Sequence, residues 1–140
     1  MRGYSPGGQC AIYFAAKYPS LWGNVLDISG GEYPGAEEPV TNLREVFGGN
    51  QAAYDAQKPA NIVGKRTYPD TTAIFTASTD DAVYLEAARH LSAAAEASGM
   101  TLTYYRVPNG GHVIGALNGG LEKGFEVLYP RLGLSRPGVP

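Results

Sequence analysis

GYSPGG, the stretch from Gly3 to Gly8, has the Gly-x-Ser-x-Gly spacing that lifts a serine out of a sharp strand-to-helix turn. A serine held in such a turn exposes its hydroxyl as a nucleophile for acyl transfer. The alternative interpretation is that Ser5 is only a small residue in a tight, glycine-rich turn. Residues downstream of this turn help to decide whether Ser5 is a nucleophile or only a turn residue.

Downstream of this stretch, short apolar segments alternate with amphipathic ones. The spacing of the apolar residues predicts helices over residues 10–19, 81–99 and 120–133, and strands over 24–31, 71–78 and 101–107. Between residues 32 and 68 the sequence is polar and rich in Pro and Gly, with short helices predicted at 42–47, 50–57 and 59–65. Strands and helices that alternate at these lengths predict an α/β protein, with a parallel sheet flanked by helices. The tail at 135–140 is expected to be irregular.

The position of the serine motif near the start of the chain bears on domain organisation. Only Met1 and Arg2 precede Gly3, which is too few residues to supply the strand that such a turn requires. Residues 1–140 are therefore expected to be the C-terminal part of a single α/β domain, with about three sheet strands. We expect its partners to be the missing N-terminal part of the same domain and, through an exposed sheet edge, other copies of itself.

Composition narrows the classes of partner and cofactor. A net charge of -2 gives no attraction for nucleic acid or an anionic membrane, so neither is expected as a partner. One cysteine and two histidines are too few for a structural zinc site, and no metal is expected. Cys10 is expected to pack in the core, His90 to lie on the surface without a partner, and Asp27 to satisfy a buried polar group.

Three kinds of side chain follow one another in an order that suits a serine hydrolase. Such an enzyme needs a nucleophile, a histidine base and an acid that orients the base. Ser5 comes first, Asp80 and Asp81 follow the strand at 71–78, and His112 follows the strand at 101–107. Ligands of open α/β sheets bind beyond the carboxyl ends of the strands, so the placement also fits. Alternatively, the aspartates only cap the next helix and His112 is only exposed.

Several segments resemble those of esterase-D-like α/β-hydrolases, the group that includes the secreted mycolyltransferases. More narrowly, the chain is similar to actinobacterial esterases with a Gly-Tyr-Ser-x-Gly-Gly elbow. It rests on GYSPGG, LDISG (26–30), FGG (47–49), IFTASTDD (74–81) and PNGGH (108–112). The resemblance implies a partial α/β-hydrolase fold that begins at the nucleophile elbow. It also implies transfer of an acyl group from a small-molecule ester without metal or organic cofactor, and a location in the cell envelope or outside the cell.

Carried over by position, the resemblance implies that Ser5 is the nucleophile, Asp81 the acid and His112 the base. Asp80 remains the alternative acid because the turn lacks the usual glycine.

Pro6 is a difficulty for catalysis. In this fold the residue after the nucleophile donates its backbone N–H to the oxyanion, and proline has no N–H. Gly7 is the nearest residue whose N–H could serve in part. The sequence therefore leaves two hypotheses: a serine hydrolase with an impaired oxyanion hole, and a non-catalytic relative that uses the same scaffold to bind a ligand or partner.

Overall fold

The computed structural model describes residues 1–33, 35 and 38–134, so the expectation for the tail lies outside the described residues. A parallel sheet of four strands, in the order β1-β2-β3-β4, forms the centre of the fold. The strands are β1 (Arg2–Tyr4), β2 (Asn24–Ile28), β3 (Thr72–Ser78) and β4 (Thr101–Val107). The α/β class with a parallel sheet is confirmed.

The fourth strand, β1, corrects the expectation of about three strands. Its three residues pair with β2, with Arg2 opposite Leu26 and Tyr4 opposite Ile28. The pairing is extended by the Leu26 N–H, which donates to the Met1 carbonyl at 2.9 Å. Three residues are enough to form this strand, because each of them pairs with a residue of β2. A strand therefore leads into the turn that contains Ser5.

Helices cover both faces of the sheet. They are α1 (Pro6–Lys17), α2 (Pro39–Glu45), α3 (Gln51–Asp55), α4 (Pro59–Val63), α5 (Ala82–Ala97) and α6 (Ile114–Arg131). Alternate residues of β3 face opposite sides, so Phe75 packs with α1 and α5, whereas Ile74 packs with α6. None of the described helices combines the length and apolar content needed to cross a membrane.

Helix α6 begins six residues earlier than the sequence predicts and lies very close to the sheet. A Cβ atom on Gly120 would lie 2.5 Å from Thr76 Oγ1, and one on Gly124 would lie 2.3 Å from Leu26 Cδ2. Two glycines spaced by four residues therefore form the contact face, and the neighbouring Phe125 is only partly buried. The close approach fixes α6, and with it the loop that precedes α6.

Cys10 of α1 and Val83 of α5 are both exposed. Cys10 lies on the face of α1 opposite the buried stripe that contains Ala11 and Ile12, so the prediction that it packs in the core is wrong. Val83 is 57% exposed, because it lies outside the face of α5 that Ala88, Leu91 and Ala95 bury against the core.

Asp27 is a carboxylate buried beneath the serine turn. It is 2% exposed and its Oδ1 accepts a hydrogen bond from the Gly30 N–H at 2.8 Å, whereas Oδ2 has no hydrogen-bond partner among the described residues. Burial raises the pKa of this carboxyl from 3.8 to about 7, and the Gly30 N–H offsets part of that rise. The expected buried polar partner is therefore a backbone N–H.

This raised pKa predicts a stability that depends on pH. Between pH 4 and pH 7 the folded chain keeps a proton on Asp27 that the unfolded chain has released, so the free energy of unfolding falls as the pH rises through this range. From pH 5 to pH 8 the loss should be about 3 kcal/mol, since the folded pKa lies two units above pH 5 and one pKa unit is worth about 1.4 kcal/mol. Denaturant unfolding of wild type and Asp27→Asn, at pH 5 and at pH 8, measures this loss of unfolding free energy. An equal difference between the two proteins at both pH values would contradict the assignment.

Candidate active site

Ser5 lies in the turn between β1 and α1. Its backbone has φ 53° and ψ -123°, a conformation that residues with a side chain rarely adopt. The Ser5 N–H donates to the Ile28 carbonyl at 2.8 Å, and the Ser5 carbonyl accepts from the Gly8 N–H at 2.9 Å. These bonds hold the turn, so the Ser5 side chain stands at the carboxyl end of β1.

The glycines of the motif do not have equal roles in this turn. A Cβ atom on Gly3 would lie 1.8 Å from the Gly7 carbonyl oxygen, and one on Gly8 would lie 2.3 Å from Asp27 Oδ1. A Cβ atom on Gly7 would meet no other atom within 4 Å. Close packing of strand and helix therefore requires Gly3 and Gly8, and the second glycine of the Gly-x-Ser-x-Gly spacing is not needed for it.

Ser5, His112 and Asp81 lie in a continuous line of hydrogen-bond contacts. Ser5 Oγ is 3.0 Å from His112 Nε2, and His112 Nδ1 is 2.6 Å from Asp81 Oδ2. A proton on Nδ1 facing the carboxylate leaves Nε2 free to accept the Ser5 proton. Asp81 occupies the N-cap position of α5, but its side chain makes no capping hydrogen bond. Its carboxylate therefore faces the histidine.

Asp80, the alternative acid, contacts the loop that carries His112 instead of the imidazole ring. Its Oδ1 accepts hydrogen bonds from the Ser78 hydroxyl and from the Gly111 N–H, the second at 2.9 Å. Both hydrogen bonds lower the pKa of the Asp80 carboxyl, and the bond from Ser78 has the larger effect. Ser78 Oγ also accepts from the Gly110 N–H at 2.7 Å. The structure thus places Asp81 beside the His112 ring, and Asp80 holds the loop that carries His112.

Two tyrosines for which the sequence predicts no role, Tyr84 and Tyr4, contact His112. The Tyr84 ring stacks on the imidazole, with ring centroids 3.9 Å apart and an interplanar angle of 26°. The Tyr4 hydroxyl donates to the His112 carbonyl. Tyr84 could have been found from its spacing, because a residue three positions after Asp81 on a helix lies on the same side. Tyr4 lies within the GYSPGG stretch itself.

The Ser5 side chain opens into a cavity of about 270 Å³. Its lining residues are Ser5, Pro6, Gln9, Gly31, Tyr33, Gly35 and Tyr84. Pro6 is the first residue of α1 and, lacking an N–H, offers no main-chain donor next to Ser5. Among the described residues there is no group of three His, Cys, Asp or Glu side chains close enough to hold a metal ion.

The other histidine, His90, is exposed, as the sequence predicts, but it has partners. Its Nε2 is 2.9 Å from Glu86 and its Nδ1 is 3.3 Å from Glu32. Glu86 and His90 are four residues apart on α5, so their contact could have been predicted from the sequence. Glu32 is remote in sequence, so its contact with His90 could not.

The fold is that of the α/β-hydrolases, as comparison with solved structures shows. Est1E from Butyrivibrio proteoclasticus matches with a TM-score of 0.67 and 16% identity, over 95% of this chain and 60% of that one. A ferulic acid esterase matches with a TM-score of 0.65 and 15% identity, over 87% and 46%. A putative dienelactone hydrolase from Klebsiella pneumoniae matches with a TM-score of 0.62 and 13% identity, over 96% and 51%.

Sequence comparison gives one further relative. An uncharacterised protein of Corynebacterium glutamicum is 30% identical over 138 residues, covering 94% of this chain and 32% of that protein. No protein-family model matches the chain. The chain thus spans about a third of this relative and about half of the solved structures. The narrower resemblance to esterase-D-like enzymes stays a prediction.

Proposed function

We propose that the protein is a serine hydrolase that cleaves a carboxylic ester through an acyl-enzyme. The observation that carries this proposal is the line from Ser5 through His112 to Asp81, with contacts of 3.0 and 2.6 Å at the carboxyl end of a parallel sheet. The esterases and hydrolases that share the fold support the same class. Within it, the GYSPGG and LDISG segments favour an esterase-D-like enzyme of the cell envelope or the extracellular space.

The proposed reaction begins when His112 Nε2 takes the proton of the Ser5 hydroxyl as Ser5 Oγ bonds to the ester carbonyl carbon. The tetrahedral intermediate then collapses, and the imidazolium gives the proton to the departing alcohol oxygen. Water repeats the sequence on the acyl-enzyme and releases the carboxylic acid. Asp81 keeps the proton on Nδ1 and stabilises the imidazolium, and the face of the Tyr84 ring adds to that stabilisation.

Pro6 bears on how fast this reaction runs. One oxyanion donor is worth about 10² to 10³ in kcat, because it acts on charge that develops in the transition state. Replacing Pro6 by Ala restores the N–H beside Ser5, so we expect kcat for a chromogenic ester such as p-nitrophenyl acetate to rise by up to that factor. Pro6→Met is the matched variant, since it restores the same N–H with another side chain.

Ester hydrolysis by wild type and by the two Pro6 variants tests the proposal. We expect saturable turnover with an initial burst of p-nitrophenol, equal gains in the two variants, and loss of turnover after treatment with a fluorophosphonate. Unequal gains would assign the effect to the geometry of the turn. No turnover by any of the three proteins would contradict the proposed function and favour a binding module on the same scaffold.

A further inference from the structure

A second cavity, of about 510 Å³, adjoins the one beside Ser5. The two cavities share Pro6, Gln9 and Gly35 in their linings, so the second begins where the first ends. Its remaining lining residues are Cys10, Tyr13, Phe14, Phe47 and Gln57. The proposed reaction uses none of these side chains.

The walls of this second cavity are mostly apolar. The Tyr13 hydroxyl donates to Gln57 Oε1 at 2.9 Å, so these two polar groups satisfy each other. Phe14 is 38% exposed and packs edge-to-face on Tyr13, with ring centroids 5.3 Å apart. Exposed aromatic surface in a concavity beside a reactive group is typical of a site for an apolar part of a ligand.

The position of the cavity indicates which part of an ester it would hold. The departing alcohol must lie beside His112 Nε2, because that atom returns the proton to it. Tyr84, which stacks on His112, lines only the first cavity. The second cavity begins at Pro6 and continues along α1 past Cys10 to Phe14. At about 1.5 Å per residue, the distance along the helix axis from Pro6 to Phe14 is about 12 Å. It therefore suits the acyl side of the ester.

We propose that this second cavity binds the aliphatic acyl chain of a medium-chain ester whose carbonyl lies at Ser5. The inference rests on the proposed function and names its substrate class. Burial of the chain against Tyr13, Phe14 and Phe47 would favour longer esters over acetates. Each methylene buried is worth about fourfold in binding, so two or three methylenes give roughly 10- to 100-fold.

The kinetic test compares p-nitrophenyl octanoate with p-nitrophenyl acetate. Wild type is expected to prefer the octanoate in kcat/KM, and Cys10→Trp, which fills the cavity from an exposed position, to lower the octanoate-to-acetate ratio by roughly 10- to 100-fold. Ala93→Trp is the matched control, because Ala93 is an exposed helix residue that lines neither cavity. A ratio unchanged in Cys10→Trp would overturn the proposal.

A second measurement does not depend on turnover. Cys10 is the one cysteine of the chain, so its alkylation by a maleimide reports directly on the cavity. In Ser5→Ala, which cannot form an acyl-enzyme, saturating methyl octanoate should slow that alkylation several-fold and methyl acetate should not. Equal rates with the two esters would overturn the subsite. By contrast, protection without ester turnover in any Pro6 variant would overturn only the proposed hydrolysis.

Discussion

Ser5→Ala is expected to reduce kcat for ester hydrolysis by about 10⁴ to 10⁶ when it is introduced into the Pro6→Ala protein. The loss should be this large because Ser5 Oγ forms the covalent bond of the acyl-enzyme, and no other hydroxyl is placed at 3.0 Å from His112 Nε2 among the described hydrogen bonds. The Pro6→Ala background provides a higher starting rate against which the loss can be measured. Steady-state hydrolysis of p-nitrophenyl acetate gives the factor.

Ser20→Ala is the control for this substitution. Ser20 is an exposed serine beyond the end of α1 and lines neither cavity, so its loss should leave kcat and KM unchanged. A Ser5→Ala protein that keeps more than a few per cent of the parent rate would exclude Ser5 as the nucleophile. His112→Ala should lose nearly as much as Ser5→Ala, and the double variant little more, since the two residues act as a unit.

Asp81→Asn is expected to lower kcat by about 10³ to 10⁴, with a small change in KM. The amide has nearly the shape of the carboxylate, but it can present an N–H to His112 Nδ1 and so favour the tautomer with the proton on Nε2. That tautomer cannot accept the Ser5 proton. The pH dependence of kcat for the two proteins, measured on the same ester, tests this account.

Asp80→Asn is the matched variant one residue away. An amide oxygen at position 80 can still accept the hydrogen bonds from Ser78 and from the Gly111 N–H, so we expect a loss of less than about tenfold. The two substitutions remove the same charge from adjacent residues. The ratio of the two kcat values therefore does not depend on net charge. A larger loss in Asp80→Asn than in Asp81→Asn would assign the acid to Asp80.

The sequence predicts the parallel sheet and the candidate site because both depend on local patterns. The glycine spacing around Ser5 indicates a strand-to-helix turn, and β3 and β4 are recognisable as apolar segments. Asp81 and His112 then follow those two strands, and parallel strands bring their carboxyl ends to one edge. The juxtaposition follows from topology, whereas the catalytic roles remain a prediction.

Other features depend on tertiary packing and could not be predicted from the sequence. The apolar pattern of α1 does not show that Cys10 and Phe14 face a cavity, because the other wall of that cavity comes from residues remote in sequence, such as Phe47. The choice between Asp80 and Asp81 depends on the loop that Asp80 fixes. The early start of α6 depends on glycines that give little helix signal of their own but allow the helix to approach the sheet.

Reaction with a fluorophosphonate, followed by peptide mapping, tests the central claim most directly, because the reagent bonds to an activated serine whatever the natural ester is. We expect one phosphonyl group per chain on Ser5, formed faster in Pro6→Ala than in wild type and lost in His112→Ala. Labelling at another residue, or no labelling of Ser5 in either wild type or Pro6→Ala, would contradict the assignment of Ser5 as a nucleophile activated by His112.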